Sequence, residues 1–274
     1  MEWREKAGWY SFLNYPALIT PSKLEGLGMF FEVINLEKSF GGLKATDKVS
    51  LNIKQGDICS IIGPNGAGKT TLFNLITGHI KPDSGRVIFQ GEDITGKSAM
   101  AVTRRGIARS FQIVNIFPQL TVYENVMVAV LSQKEKSYNL INPAKKIARE
   151  EIYGLLESIG LIKQKELLGG QLSHGNQKRL EVGIALAMKP KLLALDEPTA
   201  GMAVEEKAAI LETIKSLIER TGCTVLLCEH DMSIIFAVSD FIWVLHNGRI
   251  VANGTINEIK NNETVQRIYL GRKG

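Results

Sequence analysis

Cysteine is scarce. The chain of 274 residues has three, Cys59, Cys223 and Cys228; none belongs to a CxxC pair, and their number is odd. Such usage argues against a disulfide framework and against a cysteine-built metal site. Cys59 and Cys228 sit inside the apolar runs ICSII and VLLCE, which predicts buried, reduced thiols. Long hydrophobic runs are also missing. No uninterrupted apolar stretch approaches the roughly 18 residues of a spanning helix. Nor is there a large excess of one charge. The balance is 33 basic against 28 acidic residues, or +5, with the basic residues scattered rather than blocked, so a nucleic-acid or lipid partner gains little support. Internal repeats, low-complexity tracts and sustained heptads are absent. What remains is 45% apolar and 22% charged residues, which excludes disorder, collagen and a multi-span membrane protein. At roughly 150 residues per domain the length allows one large or two small domains, with enough core to fold unaided.

Residues 1–28 differ from the rest. They carry Trp3, Trp9, Tyr10, Phe12 and Tyr15, are broken by Pro16 and Pro21, and end in Gly26 and Gly28. No small-residue cleavage site follows cleanly, so they read as a poorly ordered extension rather than a secretory signal, with the domain proper over 29–270. From Met29 the pattern alternates. FFEVINLEKSF and KVSLNIKQGD predict half-buried strands of an antiparallel layer, and GRVIFQGEDIT another hairpin arm. ICSIIG (58–63) is a continuous apolar run, as in a fully buried central strand. Residues about 97–188 take on helical periodicity and predict an inserted helical subdomain. KLLALD (191–196) and TVLLCE (224–229) predict two more buried strands joined by helices, the alternation of a parallel sheet. FIWVLHNGRIVANG (241–254) predicts a hairpin turning at Asn247-Gly248, and a short amphipathic helix closes the chain. The fold class expected is α/β: a mostly parallel central sheet flanked by helices, with an antiparallel layer and a helical insertion.

GPNGAGKTT (63–71) matches G-x-x-x-x-G-K-[ST] between a buried strand and a helix, which is the context that gives the motif meaning. The loop of Gly63, Pro64, Asn65, Gly66, Ala67 and Gly68 would wrap around phosphate oxygens, turning inward the backbone N–H groups of its residues other than Pro64, and the following helix would turn its positive end to the same anion. Lys69 would reach the outer phosphates, Thr70 would hold Mg²⁺, and Thr71 would add a phosphate contact. Such a cradle also needs a carboxylate by the metal. Asp196, after four apolar strand positions, fits that need, and Glu197 is placed to accept a proton from the attacking water.

Between these motifs lies LSHGNQKRLEVGIALAMKPKLLALDEP (172–198), which resembles the signature of the ATP-binding cassette superfamily running into its aspartate strand. The resemblance spans about residues 30–270 and implies the P-loop fold of nucleotide hydrolases, with ATP and Mg²⁺ as cofactors. It implies that Phe40 stacks on adenine, that Gln112 touches metal and water, that His230 is the switch histidine, and that Ser173 and Gly175 meet the γ-phosphate held by a second such ATPase, head to tail. His174 and Asn176 depart from the usual signature, and Ala203 stands where many cassettes have an aspartate. RSFQIVNIFPQLTVYENVMVA and DEPTAGM resemble the larger ATP-binding subunit of branched-chain amino acid importers. That implies work at the cytoplasmic face of the plasma membrane with two transmembrane permease subunits, and indirectly with an extracytoplasmic solute-binding protein. FPQLTVYENV (117–126) would help form the groove for the permease; core of the helical insertion is the plain alternative. A urea or short-amide importer is the near rival. A cassette working on nucleic acid or ribosomes is a rival of another class, disfavoured by the lack of coiled coils and of a second cradle. A small-molecule kinase would need neither LSHGN nor His230.

Overall fold

The computed structural model describes residues 29–110, 116–133, 142–202 and 204–270. Two sheets organise these residues. The first is antiparallel and four-stranded, in the order β2-β1-β4-β5, built from β1 (Phe31–Phe40), β2 (Leu43–Ile53), β4 (Ser84–Phe89) and β5 (Glu92–Asp93). The second is six-stranded in the order β10-β9-β3-β8-β7-β6. Its members are β3 (Ile58–Ile62), β6 (Ile107–Ser110), β7 (Leu192–Asp196), β8 (Thr224–Cys228), β9 (Phe241–His246) and β10 (Arg249–Gly254). All its pairings are parallel except the β9–β10 hairpin, which turns at Asn247 and Gly248 with φ of 47° and 75°. Both turn residues sit in the left-handed region, as the Asn-Gly pair predicts.

Strands β3, β7 and β8 are buried along their whole length, because both faces of the sheet are covered. The pleat divides their side chains between two cores. Ile58, Ile62, Leu193, Leu195, Val225 and Leu227 face helices α3 (Val122–Gln133), α4 (Asn142–Ser158), α5 (His174–Ala187), α6 (Val204–Thr221) and α7 (Met232–Val238). Cys59, Ile61, Leu192, Ala194, Leu226 and Cys228 face α1 (Lys69–Ile76), α2 (Ala99–Thr103) and the antiparallel sheet. All three cysteines are free and buried. Two short helices, α8 (Ile256–Lys260) and α9 (Glu263–Leu270), follow the last hairpin. Among the described residues no helix is long and apolar enough to cross a membrane.

The helical stretch expected over 97–188 needs one correction. Residues 107–110 leave it and form β6, which pairs with β7 at the sheet edge. The packing of α3, α4 and α5 against one another supplies the helical part. Residues 1–28 lie outside the described residues.

Candidate functional site

The site gathers where β3, β7 and β8 end on the same side of the parallel sheet. β3 runs into the loop 63–68, and α1 starts at Lys69. Gly68 caps α1 with φ 104° and ψ 7° and offers no side-chain acceptor, so the first-turn amides are left for an anion. A Cβ at Gly68 would collide with the Ala45 carbonyl oxygen, so only glycine fits. A second element braces the loop: the Gly248 N–H donates to the Ala67 oxygen (2.9 Å), and the Asp47 N–H donates to the Gly248 oxygen (2.8 Å). The Asn247-Gly248 turn thus fixes the loop as well as the hairpin. Its role in the site was not read from the sequence, although the turn itself was.

Lys69 is 6% exposed, and its ammonium donates to the carbonyls of Gly63 (2.7 Å) and Pro64 (3.0 Å). Burial lowers its pKa, while the nearby carboxylates of Glu197 and Asp196 pull the other way. Asp196, at the end of β7, is fully buried; one intervening strand, β8, separates it from β3. Its Oδ2 accepts from Arg109 Nη2 at 2.7 Å, and its Oδ1 is buried with no hydrogen-bond partner among the described residues. Glu197 follows with φ 50° and donates its N–H to the Cys228 carbonyl oxygen (2.9 Å), which ties it to the end of β8. Its Oε1 meets His230 Nε2 at 2.6 Å. Behind them Glu229 is buried, and burial raises its pKa although Thr199 donates to it from both N–H (2.9 Å) and hydroxyl (2.7 Å). Asp231 caps α7, and its carboxyl is held down at about 2 by Ser233 and Lys207.

The structure therefore brings Lys69, Asp196, Glu197 and His230 together, with Thr70 exposed in the first turn of α1. Gln112 and Ala203 lie outside the described residues. Phe40 ends β1 half-exposed, with the Lys38 ammonium 5.8 Å from its ring centre. Ser173 is the N-cap of α5, its hydroxyl accepting from the Asn176 N–H at 3.3 Å. Gly175 is buried, and a Cβ there would lie 2.6 Å from the Glu206 carboxylate. His174 Nε2 lies 3.3 Å from the Ala200 oxygen. The signature thus touches the segment just past Glu197, a link the spacing of residues does not reveal. The stretch 117–126 divides as well. Val122 and Val126 are core, whereas Phe117 is half-exposed; Thr121 bridges to Leu168, which with Leu167 is also exposed.

An arrangement of this kind has known counterparts. The family model of the ABC transporter matches residues 46–200. The chain belongs to the ABC transporter family. It is 40% identical over 246 residues to the high-affinity branched-chain amino acid transport ATP-binding protein LivG of Salmonella typhimurium, covering 87% of this chain and 96% of LivG. Among solved structures, the ADP conformation of an ATP-binding cassette of an ABC transporter superposes with a TM-score of 0.77 at 33% identity, covering 89% of this chain and 99% of that one. A dimeric post-hydrolysis cassette bound to ADP and Pi gives a TM-score of 0.72 at 27% identity over 82% of this chain and 98% of that one. This ABC ATPase is therefore a nucleotide-binding cassette with the P-loop fold expected from the sequence.

Proposed function

We propose that this chain is the ATP-hydrolysing subunit of an importer for branched-chain amino acids, working in a pair of cassettes beneath two permease subunits at the cytoplasmic face of the membrane. The observation that carries hydrolysis is the 2.6 Å contact of His230 with Glu197, next to a buried Lys69 and Asp196. The likeness to LivG over nearly its whole length supports the choice of solute. The exposed Phe117, Leu167 and Leu168 support a protein partner on the helical side.

In this reading the loop amides and Lys69 take the β- and γ-phosphates. Lys69 exchanges two carbonyl partners for charged ones, a change that strengthens each hydrogen bond. The residues fit Mg²⁺: Asp196 Oδ1 is a buried acceptor without a partner among the described residues, and the Thr70 hydroxyl stands at the helix start. Asp196, Thr70 and Gln112 would hold the ion, which when bound neutralises charge on the phosphate oxygens. Glu197 accepts the proton of the attacking water, and His230 fixes the orientation of the Glu197 carboxylate. Phe40 supplies the face for the base. Ser173 and Gly175 of a second cassette meet the γ-phosphate from the other side. Loss of that phosphate removes the shared ligand, and the pair opens.

The test is co-purification with the permeases and reconstitution into vesicles. Leucine, isoleucine or valine, delivered by a binding protein, is expected to raise ATP turnover. Stimulation by urea or a short amide instead would replace the solute, and turnover that yields a phosphorylated acceptor rather than free phosphate would refute the function.

A further inference from the structure

We propose that Arg109 is a positioning residue for the nucleotide site: it clamps Asp196 so that one carboxylate oxygen stays turned to the metal, and it anchors that carboxylate to the far end of the phosphate-loop helix. This rests on the reading of Asp196 as the metal's carboxylate.

The geometry starts from the sheet register. In the β6–β7 pairing Arg109 lies opposite Ala194, two residues before Asp196. Side chains two apart share a face, so Arg109 and Asp196 both rise on the side that α1 covers. Asp196 has no exposure, and a lone charge there would be costly. Arg109, itself 7% exposed, supplies the counter-charge at 2.7 Å through Nη2. Its other terminal nitrogen, Nη1, donates to the Asn74 side-chain oxygen at 2.6 Å and to the Thr77 hydroxyl at 3.3 Å, at the end of α1. The guanidinium carbon lies 5.9 Å from the centre of the Phe73 ring. The planar fork is thus held at three points: β7, the last turn of α1, and an aromatic face.

Only one oxygen of Asp196 is used by this clamp. Oδ2 is taken, and Oδ1 is left buried and unpartnered among the described residues. Turning the carboxylate would break the bond at Oδ2, so the free oxygen is favoured in one direction. Arginine suits the task because its donors are fixed relative to one another. A lysine ammonium, a point charge on a flexible stem, would neutralise Asp196 without joining it to Asn74. The clamp also makes the end of α1 and the end of β7 one rigid unit. Thr70 lies in the first turn of that helix and Asp196 ends that strand, so the two metal-facing groups keep a constant separation.

The experiment is a titration of each protein with a fluorescent ATP analogue, once in EDTA and once in saturating Mg²⁺. The ratio of the two affinities reads the metal's contribution, and a thermal melt is recorded for each variant. Wild type is expected to bind in EDTA and more tightly with Mg²⁺; wild type that binds in neither buffer refutes the nucleotide site itself and leaves the clamp no role. For Arg109→Met, affinity in EDTA is expected to hold while the Mg²⁺ gain falls by about 10–100-fold, as for residues that orient metal-binding groups elsewhere. Arg109→Lys is expected to recover part of the gain. A wild-type Mg²⁺ gain in Arg109→Met overturns the proposal, as does equal loss of affinity in both buffers. If Arg109→Met does not fold, Asn74→Ala, which removes only one anchor of the fork, decides: a reduced gain supports the clamp and an unchanged gain overturns it.

Discussion

Replacing Gly68 by alanine isolates the physical requirement of the phosphate loop. Two costs add. At φ 104° an alanine is strained, by about 1–2 kcal/mol. The new Cβ would also run into the Ala45 carbonyl oxygen, a backbone atom in β2 that cannot swing aside, and such overpacking costs roughly 1–3 kcal/mol. Gly222, at φ 63° with no atom of the described residues within 4 Å of where a Cβ would stand, is the matched control, because it meets only the first cost. In a domain of this size each kcal/mol moves the melting temperature by about 2–4 °C, so Gly68→Ala is expected to melt about 2–12 °C below Gly222→Ala. The assay is a thermal melt followed by circular dichroism, with an ATP titration on the same samples. Gly222→Ala is expected to keep wild-type affinity and Gly68→Ala to lose it, since the shift needed to clear Ala45 moves the amides that face the phosphates. Equal melting temperatures, or an unchanged affinity in Gly68→Ala, would refute the reasoning.

Other consequences are as direct. Gly175→Ala pushes the Glu206 carboxylate from the start of α5; each monomer is expected to bind ATP normally while ATP-driven pairing weakens, as read by sedimentation, and normal pairing would show that the close contact is idle. Glu229 is held above its ordinary value of 4.5 by burial, so its contribution to stability is full below pH 4.5 and is lost as pH rises through the raised value. Glu229→Gln, whose amide oxygen still accepts from Thr199, is therefore expected to gain on wild type between acid and neutral pH in urea unfolding. A gap that stays constant, or moves toward wild type, contradicts the burial argument.

Much of this was legible because local chemistry and fold agree. The run ICSII had to be central, since it is apolar except for the small Ser60, and β3 does lie between β8 and β9. The Asn-Gly pair dictated its hairpin, and GPNGAGKTT dictated its loop. β6 was hidden for the opposite reason. IARS has two apolar residues and an arginine, and its strand form comes from pairing with β7, a contact 85 residues away at Ile107 and Leu192. The grip of Arg109 on Asp196 follows from that pairing, so nothing local announces it. The packing of Asn247-Gly248 on Ala67 and the approach of Glu206 to Gly175 are likewise products of tertiary packing. Phe40 is given its stacking role by the resemblance alone; the structure shows only that its ring is half-exposed at the end of β1.

The central claim is that Glu197, held by His230, performs the proton transfer that splits ATP at this site. The measurement is ATP binding and phosphate release on one preparation each of wild type and Glu197→Gln. Binding is expected to persist while release falls by about 10²–10⁴-fold, the usual worth of a positioned base. Phosphate release at the wild-type rate from Glu197→Gln would contradict the account.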